Sequence, residues 1–379
     1  MSSISRRRRP AFPVVFAPAQ DANHPLAIAA FRAWRVKEPV SGRRYTVVKL
    51  TSQSGVTGYG EGEASTAADI GDARTAVAGR RATESEFIRH RLAAAPAMEA
   101  AVSNAMLELI AKSKGLSIYQ YLGGPTRFKV RMLAHLEGTD EAGMAAPLER
   151  AKRSGFGAFT MALPPRESLA PLQLWVDQVR GRVTSMQARG GANSEWVIDA
   201  AGSMTPGDAA TVAVALERAH PLWFDEPVAE LTTAALAKIV DRSTMPIGLG
   251  RSVTDLAAFQ NLLRFGSVNV LRPSFGLNSV TKIKRMAAIA ESHYVAIVPY
   301  HDGGPIGTVA GIHLNAALPN SYAQQVPMPA ADGDAAMRAE ITSGDMEIAT
   351  DGFAALRNRP GLGFEVNEKA LDTYSEERI

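Results

Sequence analysis

The first third of the chain begins with alternating apolar and polar positions and then changes to a helical pattern. Residues around 28–50 alternate, and the segment Tyr45–Leu50 is rich in β-branched residues, which is typical of a strand. From about residue 66 to residue 122 apolar residues recur at helical spacing, so that four share one face: Val102, Met106, Leu109 and Ile110. Strands followed by helices, without alternation between the two, predict an α+β module.

After about residue 128 a different rhythm begins, in which short apolar runs alternate with amphipathic segments. The runs suit buried strands and the segments between them suit helices. One such helix has a clear start at Thr205-Pro206, a capping hydroxyl followed by a first-turn proline. Repeated strand–helix units predict a parallel βα barrel. The predicted strands are Val130–Leu136, Ala158–Leu163, Trp196–Ala200, Leu222–Asp225, Pro246–Gly250, Val268–Leu271 and Val295–Tyr300.

Charged residues stand at the ends of three consecutive predicted strands. Asp199, Asp225 and Arg251 are each separated from the next by 26 residues. In a βα barrel the functional groups gather at the carboxyl ends of the strands. The equal spacing therefore predicts that the three side chains share one site. A single polar residue at a strand end also has a plainer role open to it, that of capping the following helix.

The composition excludes several classes of function. The 41 basic and 38 acidic side chains leave a formal charge of +3, which does not indicate a nucleic-acid partner. Because the chain has no cysteine, disulfides, zinc–thiolate sites and cysteine nucleophiles are excluded. No apolar stretch is long enough to span a membrane. Arg6–Arg9 precede an apolar run as in a targeting signal, but the prolines of that run disfavour one, so a cytoplasmic location is expected.

Four motifs, in this order, resemble segments of the mandelate racemase and muconate lactonizing family of the enolase superfamily. The segment Gly58–Glu61 resembles the Gly-x-Gly-Glu of its capping domain, and Glu99–Gly124 resembles its long helix and closing Leu-Gly-Gly. The tripeptide Asp225-Glu226-Pro227 resembles its Glu-Glu-Pro, and Pro360–Glu365 resembles its C-terminal Pro-Gly-Leu-Gly segment. The resemblance extends from about residue 28 to residue 375.

This resemblance implies an α/β fold in which a modified TIM barrel of the (β/α)7β type lies under an α+β capping domain. The N-terminal part and the C-terminal segment of the chain would form that capping domain together. The expected organisation is a basic N-terminal tail at 1–25, the N-terminal part of the cap at 26–128, the barrel at 129–355 and the returning segment at 356–379. Relatives commonly assemble, so a homo-oligomer is expected.

The resemblance also implies a metal site, which this sequence alters. Members of the family hold one Mg²⁺ on three carboxylates at successive barrel strands and remove the proton α to a substrate carboxylate. The corresponding positions are Asp199, Asp225 and Arg251. Arginine remains charged in proteins and offers only donors, so it cannot ligate Mg²⁺. No cofactor is therefore expected, and Mg²⁺ is expected to bind weakly if it binds.

The proton-transfer residues implied by the resemblance are changed as well. Where the family carries a Lys-x-Lys pair on the second barrel strand, this chain has Thr160-Met161-Ala162. Ser274 stands where some subgroups have an aspartate, and Tyr300 stands where a base histidine is expected, with His301 one position later. The predicted catalytic residues are His301, Tyr300 and Arg251. The predicted ligand contacts are His135, Thr160, Ser274 and Asp302.

A physical replacement for the metal follows from these residues. Two carboxylates at one barrel mouth repel each other and would be driven toward protonation. A guanidinium group can donate to both of them at once. We therefore predict a salt bridge Asp199–Arg251–Asp225 at the position where relatives hold Mg²⁺. The alternative is that Arg251 points into solvent.

Three functions remain open on the sequence alone. The first is an enzyme that acts on a small hydroxy- or sugar-carboxylate by proton transfer, as a racemase, isomerase or dehydratase, without the usual Mg²⁺ site. The second is a non-catalytic homologue with a binding or regulatory role. The third is a Mg²⁺-dependent dehydratase or racemase with rearranged ligands. The partner expected in each case is a small carboxylate molecule, with no nucleic acid and no membrane.

Overall fold

The computed structural model describes residues 23–378 apart from 167–169 and 265, so nearly all of the predicted N-terminal tail lies outside the described residues. Within these bounds the strands are, in chain order, β1 Ile28–Lys37, β2 Arg44–Ser52, β3 Thr57–Glu63, β4 Lys129–His135, β5 Ala158–Ala162, β6 Glu195–Asp199, β7 Trp223–Asp225, β8 Ile247–Leu249, β9 Val270–Leu271, β10 Ala296–Ile297, β11 Gln324–Pro327, β12 Phe353–Ala355 and β13 Ser375–Arg378.

The helices lie between and around these strands. The stretch 66–122, expected to be helical, contains four separate helices, and proline at the first turn begins the longest of them. The helices are α1 Ala67–Val77, α2 Ser85–Arg91, α3 Pro96–Ser113, α4 Ile118–Tyr121, α5 Glu141–Arg153, α6 Leu172–Gly190, α7 Pro206–Leu216, α8 Thr233–Val240, α9 Leu256–Arg264, α10 Val280–Glu291, α11 Pro305–Ala317, α12 Asp332–Ile341 and α13 Glu368–Tyr374.

The capping domain is built on a four-stranded antiparallel sheet in the order β13-β1-β2-β3. Its last strand comes from the C-terminal segment, which therefore returns to the cap as the resemblance implied. Helix α3 packs directly on the backbone of β3. A Cβ atom on Gly58, Gly60 or Gly62 would come within 2.2 Å, 2.0 Å and 2.1 Å of carbonyl oxygens of α3. Glycine at every second position of this strand is what permits the close approach.

The second sheet contains eight parallel strands in the order β10-β9-β8-β7-β6-β5-β4-β11, which is the barrel that the sequence rhythm predicted. The seven predicted strands correspond to β4–β10. Five of the observed strands are shorter than predicted, whereas β4 and β6 have the predicted length and begin one residue earlier. An isolated bridge between Ile297 and Ser321 connects the two ends of this sheet. Strand β12 adds to β4 in antiparallel orientation.

Two layers of side chains fill the barrel interior, and they position the site. The lower layer is apolar and consists of Leu133, Ala158, Val197, Trp223, Val270, Val298 and Ala323. Successive side chains of a strand point to opposite faces, so the residue two positions later points inward again. In every one of these seven cases that residue is polar. We call the set the polar layer: His135, Thr160, Asp199, Asp225, Arg272, Tyr300 and Gln325.

Cap and barrel are joined by buried contacts. The carboxylate of Glu61, in β3, accepts hydrogen bonds from the backbone N–H groups of Gly304 and Gly307 at 2.5 and 3.0 Å, and so caps α11. At the other end of α11, His313 stacks on Tyr119 of α4 and its Nε2 lies 3.1 Å from the carbonyl oxygen of Leu362. Within the described ranges, no helix is both long and apolar enough to cross a membrane.

Candidate functional site

A cavity of about 780 Å³ lies between the cap and the carboxyl ends of the barrel strands. The cap contributes the loop Ser41–Arg44 and Glu63 to its lining. The barrel contributes residues that follow its strands, among them Glu137, Glu226, Arg251, Ser274, Tyr300 and Asp302. Its volume falls in the range of sites for small molecules. The cavity is therefore the place where the predicted site residues can meet a ligand.

Arg251 holds together the two aspartates at the ends of β6 and β7. Its Nη2 donates to Oδ2 of Asp199 at 2.9 Å and to Oδ2 of Asp225 at 2.7 Å. The predicted salt bridge is therefore confirmed in its geometry. The ring of Tyr300 lies beneath the guanidinium carbon, 4.0 Å from ring centroid to that carbon. Burial lowers the pKa of Arg251, but the two aspartates outweigh it and raise that pKa above its ordinary value.

A second arginine, Arg272, approaches Asp225 from within the barrel. Its side chain is fully buried, and its Nε lies 3.0 and 3.2 Å from the two carboxylate oxygens of Asp225. Its terminal nitrogens donate to the carbonyl oxygen of Val298 and to Oε1 of Gln325. The indole Nε1 of Trp223 also donates to Asp225, at 2.9 Å. Sequence reasoning missed Arg272, although its place two residues after the buried Val270 marks it as inward-facing.

The two guanidinium groups decide the charge state of Asp225. Burial by itself raises the pKa of this carboxyl group, but Arg272 and then Arg251 outweigh burial and hold the pKa below its ordinary value. Asp225 therefore stays ionised although it is fully buried. Both of its oxygens already accept hydrogen bonds from charged donors.

Glu226 is a further residue that sequence reasoning did not single out. Its backbone has a left-handed conformation, with φ of 45°, which turns the side chain toward the next strand end. There Oε1 accepts hydrogen bonds from the N–H groups of Gly250 and Arg251, at 2.8 and 2.7 Å. Burial, together with the nearby Asp225, raises the pKa of Glu226 to about 7. Its position beside Asp225 in an acidic Asp-Glu-Pro tripeptide was the signal available in the sequence.

The arrangement at these strand ends does not fit a hard divalent cation. Such an ion needs several oxygen ligands with free lone pairs directed at one point. Here Oδ1 of Asp199 accepts from the N–H of Ala201, and its Oδ2 accepts from Arg251, which itself occupies the third ligand position. Among the residues that the structure describes, no group of three or more His, Cys, Asp or Glu side chains is arranged to hold a metal. Whether the protein binds Mg²⁺ stays a prediction.

His301 does not lie on the cavity, contrary to the role predicted for it. Its ring is buried, packs edge-on against Phe275, and has Nε2 3.0 Å from the carbonyl oxygen of Gly304. Burial lowers its pKa to about 4, so the ring is neutral near pH 7. The reason is the alternation of the chain: Val298 and Tyr300 point into the barrel, so His301 points away from it.

The remaining predicted residues divide between the cavity lining and the barrel interior. Ser274 and Asp302 belong to the cavity lining, and Ser274 donates to Oε1 of Glu63 at 2.7 Å. His135 and Thr160 are part of the polar layer, where Nδ1 of His135 and Oγ1 of Thr160 are buried without a hydrogen-bond partner. The ring of His135 meets Tyr300 edge-on, at 6.0 Å between centroids. Thr160 is fully buried, so direct contact with a ligand in the cavity is not available to it.

Ion pairs fix the cap loop at the rim of the cavity. Arg43 donates to Glu38 at 3.1 Å and to Glu137, and its Nε lies 3.3 Å from Asp302. Arg338, in α12 of the barrel, donates to the other oxygen of Glu38 at 2.5 Å. This loop is therefore held to the barrel by ion pairs, of which Glu38, Arg43 and Arg338 are buried, rather than by apolar contacts alone.

Comparison with known proteins agrees with this architecture. The family model for enolase C-terminal domain-like proteins matches residues 143–370, more than half of the chain. The chain belongs to this family. Together with its solved structural relatives, this match makes it an enolase-superfamily protein of the mandelate racemase and muconate lactonizing type.

Individual relatives of this enolase-superfamily protein are distant. D-galactonate dehydratase of Verminephrobacter eiseniae is 26% identical over 272 residues, 71% of each chain. The mandelate racemase/muconate lactonizing enzyme-like protein of Rubrobacter xylanophilus has a TM-score of 0.81 at 21% identity, over 93% of this chain and 98% of that one. An enolase of Agrobacterium radiobacter with bound Na and L-malate has a TM-score of 0.81 at 20% identity, over 93% and 96%. The structural likenesses show the shared fold.

Proposed function

We propose that this enolase-superfamily protein acts on a small hydroxy- or sugar-carboxylate by proton transfer, as a dehydratase, racemase or isomerase, without the usual Mg²⁺ site. The observation that carries the proposal is the fixed guanidinium of Arg251 in the lining of the cavity. Its side chain is 20% exposed, and two carboxylates and an aromatic ring hold it in place. The D-galactonate dehydratases among its relatives support the class of substrate.

The chemistry needs a positive charge beside the substrate. A proton α to a carboxylate is very weakly acidic, and removing it requires a cation where negative charge develops. Arg251 supplies such a charge without a metal, and because it is held in place it needs no reorganisation when the charge develops.

The cavity lining also contains groups that can exchange a proton. Glu137 and Asp302 are carboxylates that face the cavity and pair with Arg43. Tyr300 keeps its phenolic proton near pH 7, because burial and then Asp302 raise its pKa. A carboxylate to accept and a phenol to donate are the minimum set for proton transfer on the two sides of a bound acid.

The test is hydrogen exchange at the α-carbon of candidate acids in D₂O. The protein would be incubated with D-galactonate, other aldonates and L-malate in the presence of EDTA, and loss of the α-proton signal and appearance of keto acid would be followed by NMR. We expect exchange or dehydration of at least one acid by the wild type and its loss in Arg251→Gln. Arg285→Gln, which removes an exposed arginine of α10, serves as the matched control.

A second candidate function, a non-catalytic binding protein, is favoured by one observation. Among the described residues that line the cavity there is neither lysine nor histidine, the bases most used in this kind of chemistry. Saturable binding of an acid without exchange or dehydration would favour this candidate. Exchange that appears only when Mg²⁺ is added would contradict the proposal, and so would a complete lack of binding and exchange with all acids.

A further inference from the structure

Four side chains at the centre of the barrel form one ion cluster, which we call the arginine cluster: Asp199, Asp225, Arg251 and Arg272. The two carboxylates and the two guanidinium groups balance in formal charge. The family pattern at the same strand ends is three carboxylates, whose charge a divalent cation offsets. The cluster has one carboxylate fewer than that pattern and contains two guanidinium groups, one of them at Arg272, outside the three ligand positions.

The two arginines have different surroundings. Arg251 is partly exposed and belongs to the cavity lining, whereas Arg272 is fully buried and forms hydrogen bonds only within the barrel. Asp225 lies between them and receives charge-assisted hydrogen bonds from both. Any cation that approached Asp225 would face two fixed positive charges within a few ångströms, in an interior where screening by water is weak.

We propose that Arg251 and Arg272 together replace the divalent cation of the family. Arg251 stands in the position of the cation and presents its positive charge to the cavity. Arg272 is a positioning residue. Its Nε lies within hydrogen-bond distance of both carboxylate oxygens of Asp225 and so fixes the carboxylate to which Arg251 donates. The cluster itself does not depend on the proposed function; only the identity of the anion bound by Arg251 rests on it.

The experiment is a titration of the purified protein with MnCl₂ and MgCl₂, followed by electron paramagnetic resonance and calorimetry, with no organic acid present. Five proteins are compared: the wild type, Asp199→Asn, Arg251→Gln, Arg251→Glu and the double variant Arg251→Glu/Arg272→Gln. We expect no saturable binding by the wild type or by Arg251→Gln. Because Arg251→Glu supplies a third carboxylate, we expect it to bind Mn²⁺ saturably, at least about tenfold more tightly than the upper limit that the wild-type titration sets. We expect the double variant to bind more tightly still.

Three results would overturn the proposal. One is saturable Mn²⁺ binding by the wild type that Asp199→Asn abolishes, since the cation site would then be intact. Another is a folded Arg251→Glu protein that binds no better than Arg251→Gln. The third is a double variant that binds Mn²⁺ no more tightly than Arg251→Glu, which would show that Arg272 has no part in replacing the cation.

Circular dichroism and thermal melts establish which variants are folded. If the glutamate variants fail to fold, the wild-type titration still decides whether the cation site persists. Because no organic acid is present, the titration measures cation binding alone. An intact cation site would contradict only the metal-free part of the proposed function, whereas a lack of activity would not change the titration result.

Discussion

Asp225 accepts hydrogen bonds from three side chains, two of them arginines, although it has no exposed surface. Burying an ionised carboxylate costs free energy through desolvation, and this cost is offset only while its hydrogen-bonding partners remain. The same holds in reverse, because Arg272 would be left charged in the barrel interior if the carboxylate were neutralised. The stability of the barrel centre therefore depends on each member of the cluster.

Asp225→Asn tests this dependence. Removing the charge leaves Arg272 buried without its counter-ion, and breaking a buried pair in this way typically costs about 3–5 kcal/mol. We expect the free energy of unfolding, measured by urea denaturation, to fall by about that amount. Asp332→Asn is the matched control, because Asp332 pairs with Arg150 on the surface. A variant as stable as the wild type would show that the cluster contributes nothing net.

At the scale of elements, alternation along the strands explains most of what could be predicted. Strands β4–β10 follow from their apolar runs, and Asp199 and Asp225 follow from the positions at which those strands end. Arg272 was within reach of the same reasoning, since counting two residues from Val270 places it inside the barrel. The same alternation excludes His301 from the inward-facing residues, because Tyr300, its neighbour in sequence, points into the barrel.

Other features of the site have no such periodicity. Arg251 follows Gly250, whose φ of 119° bends the chain out of the strand, so alternation does not give the direction of this side chain. Its ion pairs were expected only because the resemblance placed it beside two carboxylates. The left-handed turn at Glu226 and the ion pairs of Arg43 depend on contacts between segments far apart in sequence. Short-range patterns cannot report such contacts.

The contact of β3 with α3 gives a second prediction. In Gly60→Ala the new methyl carbon would lie 2.0 Å from the carbonyl oxygen of Ala101, so strand and helix must separate. Overpacking of this kind costs about 1–3 kcal/mol, and because the clashing atoms are backbone atoms of α3, we expect a loss at the upper end of this range.

Gly71→Ala is the control for this substitution. Gly71 lies within α1, where a methyl group meets nothing within 4 Å. Alanine has the higher helix propensity, so we expect a gain of about 0.5–1 kcal/mol. Thermal melts of the two variants should therefore shift in opposite directions. Equal shifts would contradict the close packing of β3 on α3.

For the whole molecule, α11 is one of the elements that join cap to barrel. The cap carboxylate of Glu61 binds its first turn, and His313 near its other end contacts both α4 and the C-terminal segment. These groups are buried and titratable, so we expect the attachment of the two domains to depend on pH. Burial raises the pKa of Glu61 to about 7 and lowers that of His313 to about 4.

His313→Gln separates the contribution of the histidine from that of Glu61. A histidine whose pKa is about 4 when folded and about 6.5 when unfolded takes up its proton more readily in the unfolded chain. The contribution of neutral His313 to the free energy of unfolding is therefore fully present above pH 6.5. It is lost as the pH falls toward 4, by about 1.4 kcal/mol per pH unit. We expect the stability advantage of wild type over the variant to shrink over this range in denaturant titrations. Parallel pH curves for the two proteins would contradict the assignment.

In the proposed replacement, the arginines at the barrel centre also change how the protein obtains the positive charge of its site. A guanidinium group is translated with the chain, one per molecule at each position, and it carries its charge from the moment of folding. Every protein molecule therefore carries the same positive charge at this site, whatever the ionic composition of the solution. The positive charge is then encoded in the gene, by the codons for Arg251 and Arg272, and does not depend on an equilibrium with dissolved ions.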